Sequence, residues 1–356
     1  MANLTDLLKR ANAPTELTKR PAENPRHKLV VTIISFIIAV GIVYFFIPSP
    51  ALIFSDLMRN WTTTPSPSIE QLVMNLRLTS RGKFIFGAVD PQLEEKTVFN
   101  SACPAAEEDA SSLGCYDPNT QKIHIYNVES EELAGEIEAT AAHELLHAAW
   151  ERLSVFERMQ IEPLLYEVYN SAEHHDQLAK STQNYRSEDL STELHSQIAE
   201  RIKDLPPALE NYYAKYFEDQ NLIASYFEKY SSVFDKIMDG ASNLLTEIEA
   251  GRQALEQKAN EYTAWLEDYN TRVQNFNSCA RDPECSLVNF ESRRDELISE
   301  GRRIDAAADA YEADRTALNA KIDEYNSNVE HLRKLDYALD SRSSPGASIE
   351  TKESNN

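Results

Sequence analysis

Ala139-Thr140-Ala141-Ala142-His143-Glu144-Leu145-Leu146-His147-Ala148-Ala149-Trp150 is the stretch on which the reading of this chain turns. It holds neither Gly nor Pro, and its small and apolar residues favour a packed helix. Residues four apart share a helix face, so His143 and His147 can aim two imidazole nitrogens at one metal ion. Glu144 lies one step beyond the first histidine, beside the open side of such an ion, where it can take a proton from water. His143 and His147 are therefore the candidate metal ligands, and Glu144 the candidate general base.

Upstream, Leu29 to Ile47 runs for nineteen residues without a charge, bounded by Lys28 and by Pro48-Ser49-Pro50. That length matches a bilayer's hydrocarbon core, and the stretch exceeds a usual signal-peptide core. It is expected to be one uncleaved transmembrane helix at the plasma membrane. The first 28 residues carry Lys9, Arg10, Lys19, Arg20, Arg26 and Lys28 against Asp6, Glu16 and Glu23. Positive charge stays inside, so the N-terminus is expected in the cytoplasm and the C-terminal part outside it. Removing those residues from the totals of 35 basic and 58 acidic leaves 29 against 55. Such an acidic surface excludes nucleic acid and anionic membrane as partners.

Cys103 and Cys115 flank a short acidic loop, and Cys279 and Cys285 flank Ala-Arg-Asp-Pro-Glu. Two local pairs fit two disulfides in an oxidising compartment, since neither pair has C-x-x-C metal spacing.

The expected organisation is a polar tail over 1–28, the membrane helix over 29–47, a linker over 48–67, a metal-site domain over 68–222, a coiled-coil hairpin over 223–340 and a disordered tail over 341–356. Ser68 is the expected N-cap of a short helix. Phe84-Ile85-Phe86, Lys96 to Asn100, Gly114-Cys115-Tyr116 and Lys122 to Val128 read as strands, the last two joined by an Asp117-Pro118-Asn119-Thr120 turn. The metal helix is expected from about Glu131 to Leu153, followed by helices near 155–170, 187–204 and 207–218. From Phe227 onward apolar residues recur at heptad spacing, break around Pro283, and resume at Phe290. This pattern predicts an antiparallel hairpin with a disulfide at its tip, Phe276 facing Phe290, Leu255 facing Tyr311, Phe234 facing Leu332, and arms of about 70 Å. The fold class is mainly α with a small β-sheet (α+β).

Two histidines leave a metal short of ligands. A histidine soon after His147 is absent, so a glutamate on a later helix is the alternative. Glu193, in Thr192-Glu193-Leu194-His195-Ser196-Gln197-Ile198-Ala199-Glu200, lies at the edge of the Leu190, Leu194, Ile198, Ile202 stripe. Glu188 and Glu200 are its rivals.

Over roughly residues 80–205, through Gly114-Cys115-Tyr116, Ala-Ala-His-Glu-Leu-Leu-His-Ala and Glu-Leu-His-Ser, the chain resembles the gluzincin class of zinc metallopeptidases, specifically bacterial membrane-anchored members. The resemblance implies a zincin-like domain, Zn2+ held by His143, His147 and Glu193, Glu144 as general base, and a sheet edge holding extended peptide. It departs from the best-known members: 45 residues separate His147 from Glu193, and no N-E-x-x-S-D sequence occurs. A donor for the tetrahedral oxyanion is also required. His195 is the first choice, then Tyr185, then His174 or His175; His124 is taken as structural and His331 as part of the coiled coil. Two functions follow. One is a metallopeptidase cleaving protein or peptide substrates; the other is a non-catalytic coiled-coil scaffold whose metal site is structural or degenerate. In either, the hairpin offers a surface for a protein partner.

Overall fold

The computed structural model describes residues 25–47, 50–103, 113–183, 185–187, 189–285 and 288–341. Of the expected tails over 1–28 and 341–356, residues 1–24 and 342–356 lie outside the described residues, as does the rival ligand Glu188. In chain order the helices are α1 (Pro25–Phe46), α2 (Pro50–Thr62), α3 (Pro67–Asn75), α4 (Ser80–Ala88) and α5 (Lys96–Ala102). After a 3-10 turn over Glu131–Leu133 come α6 (Glu136–Glu151), α7 (Val155–Tyr169), α8 (His175–Thr182), α9 (Leu190–Arg201), α10 (Pro207–Tyr213), α11 (Gln220–Arg281) and α12 (Phe290–Leu339). The strands are β1 (Gln92–Glu94), β2 (Gly114–Asp117) and β3 (Lys122–Tyr126), ordered β1-β3-β2. β3 pairs parallel to β1 and antiparallel to β2, which puts β2 at an edge.

The α+β class holds, but the membrane span is corrected. Residues 29–46 are helical, yet among the described residues no helix is long and apolar enough to cross a membrane. The end of α1 is packed onto the body of the protein: the Phe45 and Phe46 rings lie 6.0 and 5.0 Å from that of Phe156 on α7. The single-pass plasma-membrane topology and cytoplasmic N-terminus fall with the span. The two disulfides, Cys103–Cys115 and Cys279–Cys285, are formed and indicate an oxidising surrounding.

Several local readings also change. Phe84–Phe86 lies in α4 and Lys96–Asn100 in α5, because short apolar runs look alike as strand or buried helix. The Ser66 hydroxyl, rather than Ser68, caps α3 by accepting from the Ile69 N–H. The expected linker over 48–67 contains α2. The metal helix starts at Glu136 because Gly135 has φ +108°, and a Cβ there would sit 2.7 Å from the Tyr226 carbonyl oxygen.

One core joins α3, α4, β3, α6, α7, α9, α10 and the root of α11 through Leu72, Ile85, Ile123, Leu145, Leu165, Ile198, Tyr213 and Ile223. α6 lies in its middle, buried along Ala141, Ala142, Leu145, Leu146, Ala148 and Ala149; small residues there let neighbours approach closely. The Gln220 side-chain amide donates to the Ala199 and Ile202 carbonyls, both at 2.8 Å, and so finishes α9. The hairpin thus roots in the core instead of beginning beyond it. α11 has 62 residues, about 93 Å at 1.5 Å per residue, so it exceeds the expected 70 Å. Phe276 stacks on Phe290 at 4.7 Å, as the heptad register requires. Lys258 pairs with Asp314 and Lys321 with Glu247 between the arms. Near the root Phe234 packs in a cluster with Leu335, one turn beyond the expected Leu332.

α2 is fastened by a buried ion pair. Arg152 donates through Nη2 and Nε to Asp56 at 2.7 and 2.8 Å, and through Nη1 to the Ala148 carbonyl. Removing one member strands the other charge, so Asp56→Ala should destabilise the protein by about 3–5 kcal/mol. Chemical denaturation checks this, and a loss below about 1 kcal/mol would show the pair to be solvated instead.

Candidate metal centre

α6 brings His143 and His147 to one face, and α9 packs across that face with Glu193. The two Nε2 atoms are 3.0 Å apart. Glu193 Oε1 lies 3.3 Å from His147 Nε2, and its Oε2 lies 3.7 Å from His143 Nε2. One donor atom from each residue falls within 4.8 Å of the others. Metal bonds of 2.0–2.1 Å in a tetrahedron put donors about 3.3–3.4 Å apart, so this set fits a small cation.

The rings are aimed by their other nitrogens. His143 Nδ1 meets Glu200 Oε2, and His147 Nδ1 meets Thr192 Oγ1, each at 3.0 Å. Held this way, both rings turn Nε2 toward a common point, the role that outer partners play around metal ligands. Glu200, considered above as a rival ligand, is engaged behind His143. Against its burial, the charge of Arg201 and the His143 bond hold the Glu200 carboxyl below the usual range, so it is ionised. Burial disfavours an imidazolium at His143. The Glu200 bond and the charges of Glu200, Glu144 and Glu193 outweigh it and raise the pKa to about 9. Burial and the His143 charge hold His147 well below the usual value.

Glu144 is buried under the edge strand. A Cβ on Gly114 of β2 would sit 2.5 Å from Thr140 Cγ2 and 2.8 Å from Glu144 Cγ, so only glycine admits this approach. Burial, with the charge of Glu193, pushes the Glu144 carboxyl up to about 7, against the His143 charge and the Tyr116 backbone N–H. A carboxyl poised there suits proton transfer near neutrality.

His195 is not brought to the cluster. Two residues beyond Glu193, it faces roughly the opposite side of α9. It is buried against Trp150, with ring centroids 5.1 Å apart, and its Nε2 meets the Tyr212 hydroxyl at 2.9 Å. Burial pushes its pKa down to about 3. It is a neutral core residue, and its expected role as oxyanion donor is not carried by this placement. His174 Nε2 lies 3.9 Å from Glu173, and His175 Nδ1 is 3.0 Å from the Tyr169 carbonyl. Tyr185 closes a turn by its N–H onto the Thr182 carbonyl. His124 ties β3 to β1 through Glu94 at 3.0 Å, and His331 joins α12 to Glu132 at 2.8 Å.

Thr192 and Ser196 were not singled out from sequence. Ser196 Oγ lies 3.3 and 3.5 Å from the two Nε2 atoms while bonding the Glu193 carbonyl at 3.1 Å. Their spacing from Glu193, one residue before and three after, was the available signal. Hydroxyl residues at such places are ordinary in helices, so the signal was weak.

No family model, curated protein or solved structure matches the chain. The gluzincin resemblance therefore rests on the motif residues alone.

Glu200→Gln should weaken metal binding about 10–100-fold by loosening His143. Competition against a chromophoric chelator measures it; unchanged affinity would remove Glu200 from the site. A second carboxyl tests the surrounding electrostatics. Glu136 is fully buried, accepts from Thr140 Oγ1 at 2.6 Å, and is pushed up to about 8 by burial. Between the ordinary value near 4.5 and 8, the folded chain holds a proton that the unfolded chain releases. Stability contributed by this group is therefore present at low pH and lost as pH rises through that window, with a slope of up to ~1.4 kcal/mol per pH unit. Glu136→Gln should remove that part of the slope, which denaturation midpoints across the window report.

Proposed function

We propose that the chain is a zinc metallopeptidase acting in an oxidising compartment. The observation that carries this reading is the meeting of His143, His147 and Glu193 around one point with Glu144 buried beside it. Two imidazoles and one carboxylate are the donor set of many catalytic zinc sites. Zinc held there would polarise a scissile carbonyl and make water more acidic. Glu144 accepts the proton of the attacking water and returns it to the leaving amine. Glu200 and Thr192 keep the imidazoles turned inward. β2, an edge strand lying over Glu144, gives an extended peptide a ladder to join, which would set its scissile bond beside the glutamate. The hairpin of α11 and α12 serves to hold a partner or to sort substrates.

One observation favours a second reading. Ser196 Oγ, close to both Nε2 atoms, offers a fourth protein donor, and a metal with four protein ligands is structural. The hairpin would then be the working part of a scaffold protein. Glu144 discriminates between the readings, since a closed structural site has no use for a general base. On the peptidase reading, Glu144→Gln lowers cleavage of a peptide library by about 10²–10⁴-fold with bound zinc unchanged. Equal cleavage by parent and variant would refute the mechanism, and no cleavage by either would favour the scaffold.

A further inference from the structure

α2 is turned inside out. Its polar side faces the protein: Ser55 Oγ meets Gln121 Oε1 at 3.1 Å, Asp56 holds Arg152, Arg59 donates to the Thr120 and Gln121 carbonyls at 2.8 and 3.2 Å, and Asn60 donates to the Phe84 carbonyl at 3.0 Å. Its outward side is Ile53, Phe54, Leu57, Met58 and Trp61, spaced by three and four residues as one stripe. Phe54 is 66%, Leu57 55% and Trp61 82% exposed. A surface helix in water carries the reverse arrangement, so this stripe marks an interaction surface.

The covering phase is identified by three features. First, both charged side chains in the middle of α2, Asp56 and Arg59, are turned inward, so the stripe offers no charge to a polar partner. Second, the stripe is preceded by α1, whose Leu29, Ile33, Phe36, Ile38, Val40 and Ile42 are exposed, so the apolar surface continues beyond α2. A groove for one partner helix covers a single short stripe, whereas a bilayer surface covers an apolar area of any length. Third, Trp61 stands at the last turn of α2, and tryptophan favours the boundary between acyl chains and water. We propose that the outward stripe of α2 lies in the surface of a lipid bilayer, its ligand the acyl chains below zwitterionic headgroups. The net charge of −23 opposes anionic headgroups, so apolar insertion supplies the attraction. This is attachment along one leaflet, and it holds whether or not the metal centre is catalytic. It would fix the orientation of α6, because Asp56 of α2 grips Arg152 at that helix's end.

Trp61 is its own reporter. The full chain is mixed with phosphatidylcholine vesicles carrying bromine at different acyl depths, and the emission of Trp61→Phe is subtracted to remove Trp150 and Trp265. The expected result is strong quenching of the Trp61 signal, greatest for bromine nearest the headgroups and unchanged at about 1 M salt, where the Debye length is ~3 Å. The double variant Phe54→Ser, Leu57→Ser should partition about ten-fold or more less well from a chain of unchanged circular dichroism. Absence of quenching in a folded chain would overturn the proposal. So would shielding of Trp61 that appears with protein concentration in the absence of lipid, because a second copy would then cover the stripe.

Discussion

Two imidazoles on one helix converge on a point only when each ring is held by its far nitrogen. Here α9 supplies both holds, Glu200 for His143 and Thr192 for His147, and also sends Glu193 to the point of convergence. The crossing of α6 and α9 is thus the constraint that the rest of the fold serves. Small alanines on α6 permit the close approach. Gln220 closes the end of α9, and the tyrosines of α10 wrap its reverse face around His195. The metal centre and the aromatic core are the two sides of one helix.

The surroundings set the charge of that centre. Glu193, Glu200 and Glu144 crowd the two histidines in a poorly hydrated space; Glu200 is held below the usual carboxylate range, while Glu144 is lifted to about 7. Such a separation of neighbouring carboxylates, one ionised and one near neutrality, is what the proposed acid–base chemistry would use. Gly114 adds a geometric condition, because any larger residue at that position would press on the Glu144 side chain.

Much of this was legible in the residues. The His143-Glu144-Leu145-Leu146-His147 spacing placed three groups on one helix, and the stripe on α9 placed Glu193 at its edge. Paired cysteines and heptads announced the hairpin, since covalent links and long periodicities leave strong one-dimensional traces. What failed was partner choice. His195 and Glu193 lie two residues apart, and periodicity alone does not say which histidine faces the metal and which the tyrosines. Glu200 looked like a spare ligand because a sequence does not distinguish a carboxylate in front of a ring from one behind it. The apolar run of Leu29 to Ile47 read as a span, while the packing of Phe45 and Phe46 on Phe156 came from a residue more than a hundred positions away. α2 escaped notice because its polar side is the buried one.

On the proposed reading, one cation is held by His143, His147 and Glu193. X-ray absorption at the zinc edge, on protein reconstituted with a single equivalent, reports that coordination. Two imidazole ligands at about 2.0–2.1 Å are expected, with the remaining donors oxygen, and loss of one imidazole shell in His147→Ala. A spectrum showing sulfur or a single imidazole, or one unaltered by that substitution, would contradict it.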